Sequence, residues 1–308
     1  MAAPFARRRA LRLRPPSQDR YSSSLRDVDA SSLALLWKYF REALPQTINL
    51  AAPILDGQVV RLQGRFYIQF ASFKISLTKH SQESDEITPF HMNLRTNGIA
   101  VLNTKNEGYW GFETHFQHFY TAGQKFTIHI RCRRNYFDIY LGYIHMYSIE
   151  HSFPLTDIEQ ICIKGDARMS SVEWGGGNMQ VPFLSAFPPM REGRVVITGV
   201  ASKDFSISFV DSRSEQPFYL NCRFSESKVV ANSIKIIAWE HQQTASVNFP
   251  FEKGSLFEIT ILNGPHQLTI NHNDVLLMKF DHRVADPGRA YIAISVTNLD
   301  ELWTVLWN

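Results

Sequence analysis

Cysteine is scarce in this chain: its 308 residues hold three, Cys132, Cys162 and Cys222. An odd, widely spaced trio makes no disulfide framework and points to a reducing compartment of synthesis. Each Cys lies among alternating apolar residues, as in Phe126-Thr127-Ile128-His129-Ile130-Arg131-Cys132, the setting of a small buried hydrophobe. The 11 His are dispersed and no Cys/His spacing of the zinc type occurs, so neither a metal nor a cofactor is expected. No apolar run reaches the ~18 residues that span a bilayer, and the N-terminus lacks the apolar core of a secretory signal. Nucleophile contexts such as G-x-S-x-G are missing too, so no catalytic residue is expected.

Charge is modest and uneven. The net charge is +3, yet residues 1–44 carry nine Lys/Arg against four Asp/Glu, which leaves the remainder near −2. No broad basic surface for nucleic acid follows in the globular part. Arg7, Arg8, Arg9, Arg12 and Arg14 precede Pro15-Pro16 with no acid before Asp19. That composition reads as a solvated, disordered arm, with a mitochondrial presequence or an anionic-surface contact as open alternatives. From Ser31 the apolar residues Leu33, Leu36, Trp37, Phe40 and Leu44 take helical spacing, which predicts an amphipathic helix over 31–44 stopped by Pro45.

The rest of the chain repeats itself. Phe73-Lys74-Ile75-Ser76-Leu77 recurs as Phe205-Ser206-Ile207-Ser208-Phe209, and Gly57-Gln58-Val59-Val60 as Gly193-Arg194-Val195-Val196. Gly123-Gln124-Lys125-Phe126-Thr127-Ile128 returns as Gly254-Ser255-Leu256-Phe257-Glu258-Ile259, so the copies keep a spacing of 131 to 136 residues. Two homologous domains follow, over 46–174 and 187–308, joined by a linker at 175–186 and preceded by the segment 1–45. Short alternating strands broken by turns such as Asn97-Gly98 and Asp286-Pro287-Gly288 predict an all-β fold, two β-sandwiches in tandem.

Within the first copy, Phe90-His91-Met92-Asn93-Leu94-Arg95 places His91, Asn93 and Arg95 on one face of a strand and the apolar residues on the other. A polar trio on a strand is ordinarily the wet side of an antiparallel sheet. Here Asn103 follows eight residues later, Trp110 seven beyond it, and Glu113 three beyond the Trp. Hydroxyls need donors and acceptors, and the C–H face of a pyranose packs on the electron-rich face of an indole. By alternation Trp110 and Glu113 are out of phase, which places Trp110 in a turn entering its strand.

The pattern H-x-N-x-R, then N, then W-x-x-E resembles the sugar-binding core of the galectins, lectins for β-galactosides. The resemblance implies a galectin-type jelly roll, without catalysis or cofactor. It implies that His91, Asn93 and Arg95 contact the galactose 4-hydroxyl, that Asn103 and Glu113 reach the 6-hydroxyl, and that Trp110 stacks under the ring. Leu94 stands where the family has Pro, and His115 where a second Arg holds the next sugar. Phe249-Pro250-Phe251, Phe280-Asp281-His282-Arg283 and Ile163-Lys164-Gly165-Asp166 resemble further family landmarks, and Trp174–Pro182 resembles the joint of invertebrate tandem galectins. The implied partners are galactose-bearing glycans on glycoproteins or glycolipids, such as lactose and N-acetyllactosamine. The implied location is cytoplasmic, or extracellular by non-classical export.

The second copy keeps the frame with changed chemistry: Tyr219, Asn221 and Arg223 share a face, and Asn232 and Trp239 repeat the seven-residue spacing, but Gln242 replaces the Glu and Thr244 stands at the His115 place. A Gln oxygen accepts without the strength of a carboxylate. Two readings stay open there, a weak or retargeted sugar site and a structural surface. Two readings also stay open for the whole: a glycan-crosslinking lectin acting mainly through its first domain, and an interaction scaffold on a partly degenerate lectin fold. Glycoside hydrolysis is not expected, because it usually needs two carboxylates and Glu113 stands alone on this face.

Overall fold

The computed structural model describes residues 36–39, 43–79, 87–190, 192–235, 238–239 and 241–307. Four antiparallel sheets make two sandwiches. In the first, an inner sheet runs in the order Leu36–Tyr39, Ala167–Gly175, Val59–Phe66, Lys125–Cys132, Tyr136–Leu141, Ile144–Glu150. Its outer sheet runs Gln46–Asn49, Gln160–Gly165, Ser72–Thr78, Thr88–Arg95, Ile99–Asn106, Tyr109–Trp110, with Thr114–Gln117 also on Ile99–Asn106. In the second sandwich the outer sheet runs Phe183–Ala186, Ala293–Thr297, Phe205–Val210, Gln216–Arg223, Lys228–Lys235, Ala238–Trp239, with Gln243–Thr244 also on Lys228–Lys235. Its inner sheet is Val275–Asp281, Gln267–His272, Leu256–Asn263, Arg194–Val200, Glu301–Trp307.

Alternation builds each core. Phe73, Ile75 and Leu77 point inward from one strand and Phe90, Met92 and Leu94 from its neighbour, all buried. From the inner sheet Phe126 meets Phe66 in a stacked pair, 4.4 Å between centroids. The second core repeats this with Phe205, Ile207 and Phe209 against Phe218, Leu220 and Cys222. Cys132 and Cys222 are buried and free, as their setting predicts. Cys162 differs: Ile161 and Ile163 take the inward places, so Cys162 faces outward, half-buried, 3.6 Å from the Thr47 and Thr78 hydroxyls. The I-x-G-D landmark is a turn device. Asp166 accepts the Ala71 and Ser72 N–H groups at 2.9 and 3.1 Å, and a Cβ on Gly165 (φ +110°) would lie 2.2 Å from the Ser72 carbonyl oxygen.

Two sequence expectations are corrected. Where the helix over 31–44 is described, Leu36–Tyr39 is a strand, paired antiparallel with Ala167–Gly175 from Leu36↔Trp174 to Tyr39↔Ser171. A sheet edge offers a row of unpaired backbone groups, whereas a lone helix of this length is marginal, and the edge wins. The rest of that stretch and the basic arm lie outside the described residues. The linker is also shorter than 175–186: Gly175 ends a strand of the first sandwich, and Phe183–Ala186 pairs with Ala293–Thr297 in the second.

The inner sheets pack on each other. On Val59–Phe66, Val60 and Leu62 enter the core, which turns Val59 and Arg61 toward the other sandwich. On Leu256–Asn263, Phe257 and Ile259 enter the core, which turns Leu256 and Glu258 back. Arg61 reaches Glu258 with two donors, Nε at 2.7 Å and Nη2, and gives a third bond to Glu173 at 3.2 Å. Arg194 lies 3.5 Å from Glu173, and His129 3.7 Å from Glu258. Burial by itself would raise the Glu258 carboxyl; Arg61 and His129 overcome it and hold it at about 2. Alongside, Arg131 bonds Glu301 and stacks over Trp303, 4.2 Å from the ring centre. Val59, Leu256 and Trp303 make a small apolar cluster beneath.

Removing one partner of such a cluster strands the others without water. Arg61→Ala is expected to lower stability by about 3–5 kcal/mol, read from urea unfolding. Because Glu258 is held low, the contribution is fully present above the ordinary carboxylate range and is lost only as pH falls through about 2. A loss below about 1 kcal/mol, the scale of a solvent-exposed pair, would show that the cluster is hydrated.

Candidate carbohydrate-binding faces

The first outer sheet gathers His91, Asn93, Arg95, Asn103, Trp110, Glu113 and His115 around its last strands. His91 is opposite Asn103, Asn93 opposite Val101, and Val101 opposite His115, which aligns them on the side away from the core. The His91 and Trp110 rings meet edge to face at 5.1 Å between centroids. Trp110 is half exposed, with Lys105 Nζ 5.7 Å from its ring centre. Trp110 ends a two-residue strand on Ile99–Asn106 and does not lie in a turn; Gly111, Phe112 and Glu113 break the pairing before Thr114–Gln117 resumes it. That break solves the phase conflict between Trp110 and Glu113.

Ser76, on the neighbouring strand, is hydrogen-bonded to His91 Nδ1 at 2.8 Å. Burial first, and then Lys74, lower His91 to about 4; Glu113 opposes them and Lys164 adds a smaller push downward. The ring is therefore neutral at physiological pH, oriented by Ser76, with Nε2 left for a ligand. Sequence reading missed Ser76 as a site residue, although its outward position follows from the inward Phe73, Ile75 and Leu77. Arg95 makes no side-chain hydrogen bond or ion pair among the described residues, while its carbonyl accepts from His118 at 2.9 Å. Its guanidinium donors are uncommitted. Asn93 Oδ1 is buried without a protein partner.

Asn103 is only 6% exposed and largely spent within the fold. Its Oδ1 accepts the Thr104 N–H at 2.8 Å and its Nδ2 donates to the Gly111 carbonyl at 3.2 Å. It braces the Trp110 loop and keeps one N–H for a ligand. His115 Nε2 donates to Glu113 Oε2 at 3.1 Å, both half exposed, so His115 orients the carboxylate where the family's Arg would sit.

The second outer sheet has the same frame with its arginine and its second asparagine committed. Tyr219 is opposite Asn232, Trp239 opposite Ile234, Gln243 opposite Ala231 and Thr244 opposite Val230. This is the register of the first face, Thr244 taking the place of His115. Asn221 keeps its place on Gln216–Arg223, and Gln242 precedes Gln243–Thr244. Arg223, unlike Arg95, is tied to Glu226 at 3.0 Å. Arg283 donates to Asn232 Oδ1 at 3.1 Å and to Ser233 Oγ at 3.3 Å, and bonds the His241 carbonyl. Asn232 is thus claimed from below by an arginine with no counterpart under Asn103, where Ser152 aligns with Arg283.

A cavity of about 390 Å³ opens at the edge of the seam between the sandwiches, beside Tyr143, His145, Phe251 and His272. Among the described residues no group of three or more His, Cys, Asp or Glu could hold a metal ion, and no helix is long and apolar enough to cross a membrane.

Comparison with known proteins agrees with the geometry. The family described as Galactoside-binding lectin matches residues 45–174 and again 186–307. The 32 kDa beta-galactoside-binding lectin of Caenorhabditis elegans is 30% identical over 238 residues, 75% of this chain and 85% of that protein. Its namesake from Haemonchus contortus is 29% identical over 263 residues, 82% of this chain and 92% of that protein. Human Galectin-4 is 22% identical over 292 residues, covering 80% and 88%. The chain belongs to the galectin family of galactoside-binding lectins and carries two of the family's domains in tandem.

Proposed function

We propose that the chain is a non-catalytic, metal-independent lectin that binds β-galactosides through the first outer sheet. The observation that carries this reading is the uncommitted chemistry of that face: a neutral His91 oriented by Ser76, a half-exposed Trp110 beside it, and an Arg95 whose guanidinium has no partner among the described residues. Galactose presents an axial hydroxyl to such a fork of donors while its apolar face stacks on the indole. The second face is a weak or retargeted site, because Arg223 and Asn232 already have charged partners. The ligands are lactose-type and N-acetyllactosamine-type glycans of glycoproteins or glycolipids, met in the cytoplasm or outside the cell after non-classical export.

Calorimetric titration with lactose tests the reading. The expected affinity is weak, with Kd above ~10 μM as suits a shallow, solvent-facing site, and unchanged by EDTA. Trp110→Ala and Arg95→Ala should each cost about 1–3 kcal/mol of binding. Near-wild-type titration by both variants would place the site elsewhere.

The pH profile tests the His91 assignment. With His91 held at about 4, lactose affinity should stay level on acidification through the ordinary histidine range near ~6.5. It should fall only toward about 4, as the ring takes a second proton and loses its acceptor. Ser76→Ala should weaken binding by up to about tenfold, on the order of 1 kcal/mol for one hydrogen bond. A midpoint near ~6.5 would mean that the ring is solvated.

The asymmetry of the two faces has its own test in the intact chain. With Trp110→Ala and Arg95→Ala combined to silence the first face, residual lactose binding should be at least tenfold weaker than wild type. Equal affinity in that double variant would show that Tyr219 and Gln242 replace the first-face groups in full.

A further inference from the structure

The order of the layers is fixed by alternation. His91, Asn93 and Arg95 point away from the core floored by Phe90, Met92 and Leu94. Tyr219, Asn221 and Arg223 stand opposite in phase to Phe218, Leu220 and Cys222 in the second sandwich. Both cores lie between their outer sheet and the seam where Arg61, Glu173 and Glu258 meet. The stack therefore reads outer sheet, inner sheet, inner sheet, outer sheet, and the two polar faces look in opposite directions. Packed sheets lie ~10 Å apart, so three gaps place the faces about 30 Å apart.

This arrangement is locked in several independent places. The joint is hydrogen-bonded to the second sandwich, Gly177 N–H to the Trp303 carbonyl at 2.8 Å and Met179 N–H to the Leu302 carbonyl at 3.1 Å. Gly176 passes so close that a Cβ would sit 2.2 Å from the Trp303 oxygen. Arg131 of the first sandwich holds Asn178 of the joint at 2.6 Å, and Glu301 of the second. At the other side of the seam Asp274 accepts from Tyr143 at 3.2 Å and from Thr127 at 3.4 Å. Ion pairs, an arginine on an indole and backbone bonds thus span the whole width of the contact.

We infer that the chain is a fixed-span bridge, presenting its two glycan-reading faces to two opposed surfaces and unable to place both on one surface. Linked sites gain avidity only where geometry lets both engage together, and the gain vanishes where the link cannot reach. For two glycans on one flat surface the effective concentration at the second face is close to zero. For glycans on two surfaces brought near each other, both faces are already aimed. The nature of the bridged ligands rests on the lectin reading above; the bridge geometry does not.

The full-length chain tests this with spin labels on Lys164→Cys and Lys228→Cys, both exposed on the outer sheets, in a Cys162→Ser background that leaves only the buried Cys132 and Cys222. Pulsed electron resonance should give one narrow distance centred beyond about 30 Å, and Arg61→Ala with Arg131→Ala should broaden it. A broad distribution in the parent chain, or a centre well short of that span, would overturn the bridge. On planar surfaces of rising lactose density, dissociation should not slow. A tenfold slowing would show both faces on one surface and overturn the bridge equally. A narrow distance in a chain that fails to bind lactose would sink the lectin reading and leave the geometry standing.

Discussion

The bond network of Arg61 with Glu258 and Glu173 is the constraint on which the whole arrangement depends. All three side chains are almost wholly removed from water, where an unpaired charge is costly and a shifted geometry is nearly as bad. Arg61 belongs to the first sandwich and Glu258 to the second, with Glu173 on the strand that leads into the joint. Any sliding or rotation between the sandwiches separates a buried charge from its partner. The seam is not a maximally stable surface, since the Thr198 and Thr304 hydroxyls are buried without protein partners. It is a specific one: an apolar patch tolerates small rotations, but a guanidinium held by carboxylates of two elements does not.

Each sandwich divides its labour between its sheets in the same way. The inner face is spent on the other domain and the outer face is left to read ligands. The outer face can be rigid without being buried because its side chains stand on strands whose other side is fully packed. Ser76, on Ser72–Thr78, fixes the His91 ring on the next strand, and Asn103 fixes the loop that carries Trp110. Such cross-strand bracing holds donors at defined spacing in a surface site.

Much of this was legible in the residues. The internal repeat, the β-class and the outward alignment of His91, Asn93 and Arg95 follow from spacing alone, because a period of two has only one consistent assignment of faces. The seam was not legible. Alternation tells which side of a strand leaves the core, and it says nothing about whether that side meets water or another domain, so spacing alone does not single out Arg61, His129 or Glu173. Cys162 was misplaced by counting apolar neighbours without their phase. The stripe at Leu33, Leu36, Trp37, Phe40 and Leu44 fits helical periodicity, but the stretch Leu36–Tyr39 pairs with the edge of Ala167–Gly175, a tertiary opportunity that local spacing cannot show. Trp110 was placed in a turn because the pairing break at Gly111–Glu113 has no signature beyond one glycine.

The difference between the two faces follows from where each arginine finds its charge. In the first domain Arg95 ends its strand before Thr96-Asn97-Gly98, a turn with no acid, and keeps its donors for whatever arrives from solvent. In the second, the turn after Arg223 contains Glu226, close enough to hold it. A carboxylate three residues away is present at an effective concentration that a neutral sugar hydroxyl cannot match. Arg283 adds a second claim on Asn232, and its bond to the His241 carbonyl ties the loop leading to Gln243–Thr244 to the strand beneath. The second face has therefore exchanged adaptable donors for internal order. A ligand that competes there must bring charge or a larger contact of its own, which is why one fold repeated twice in a chain yields two surfaces of different chemistry.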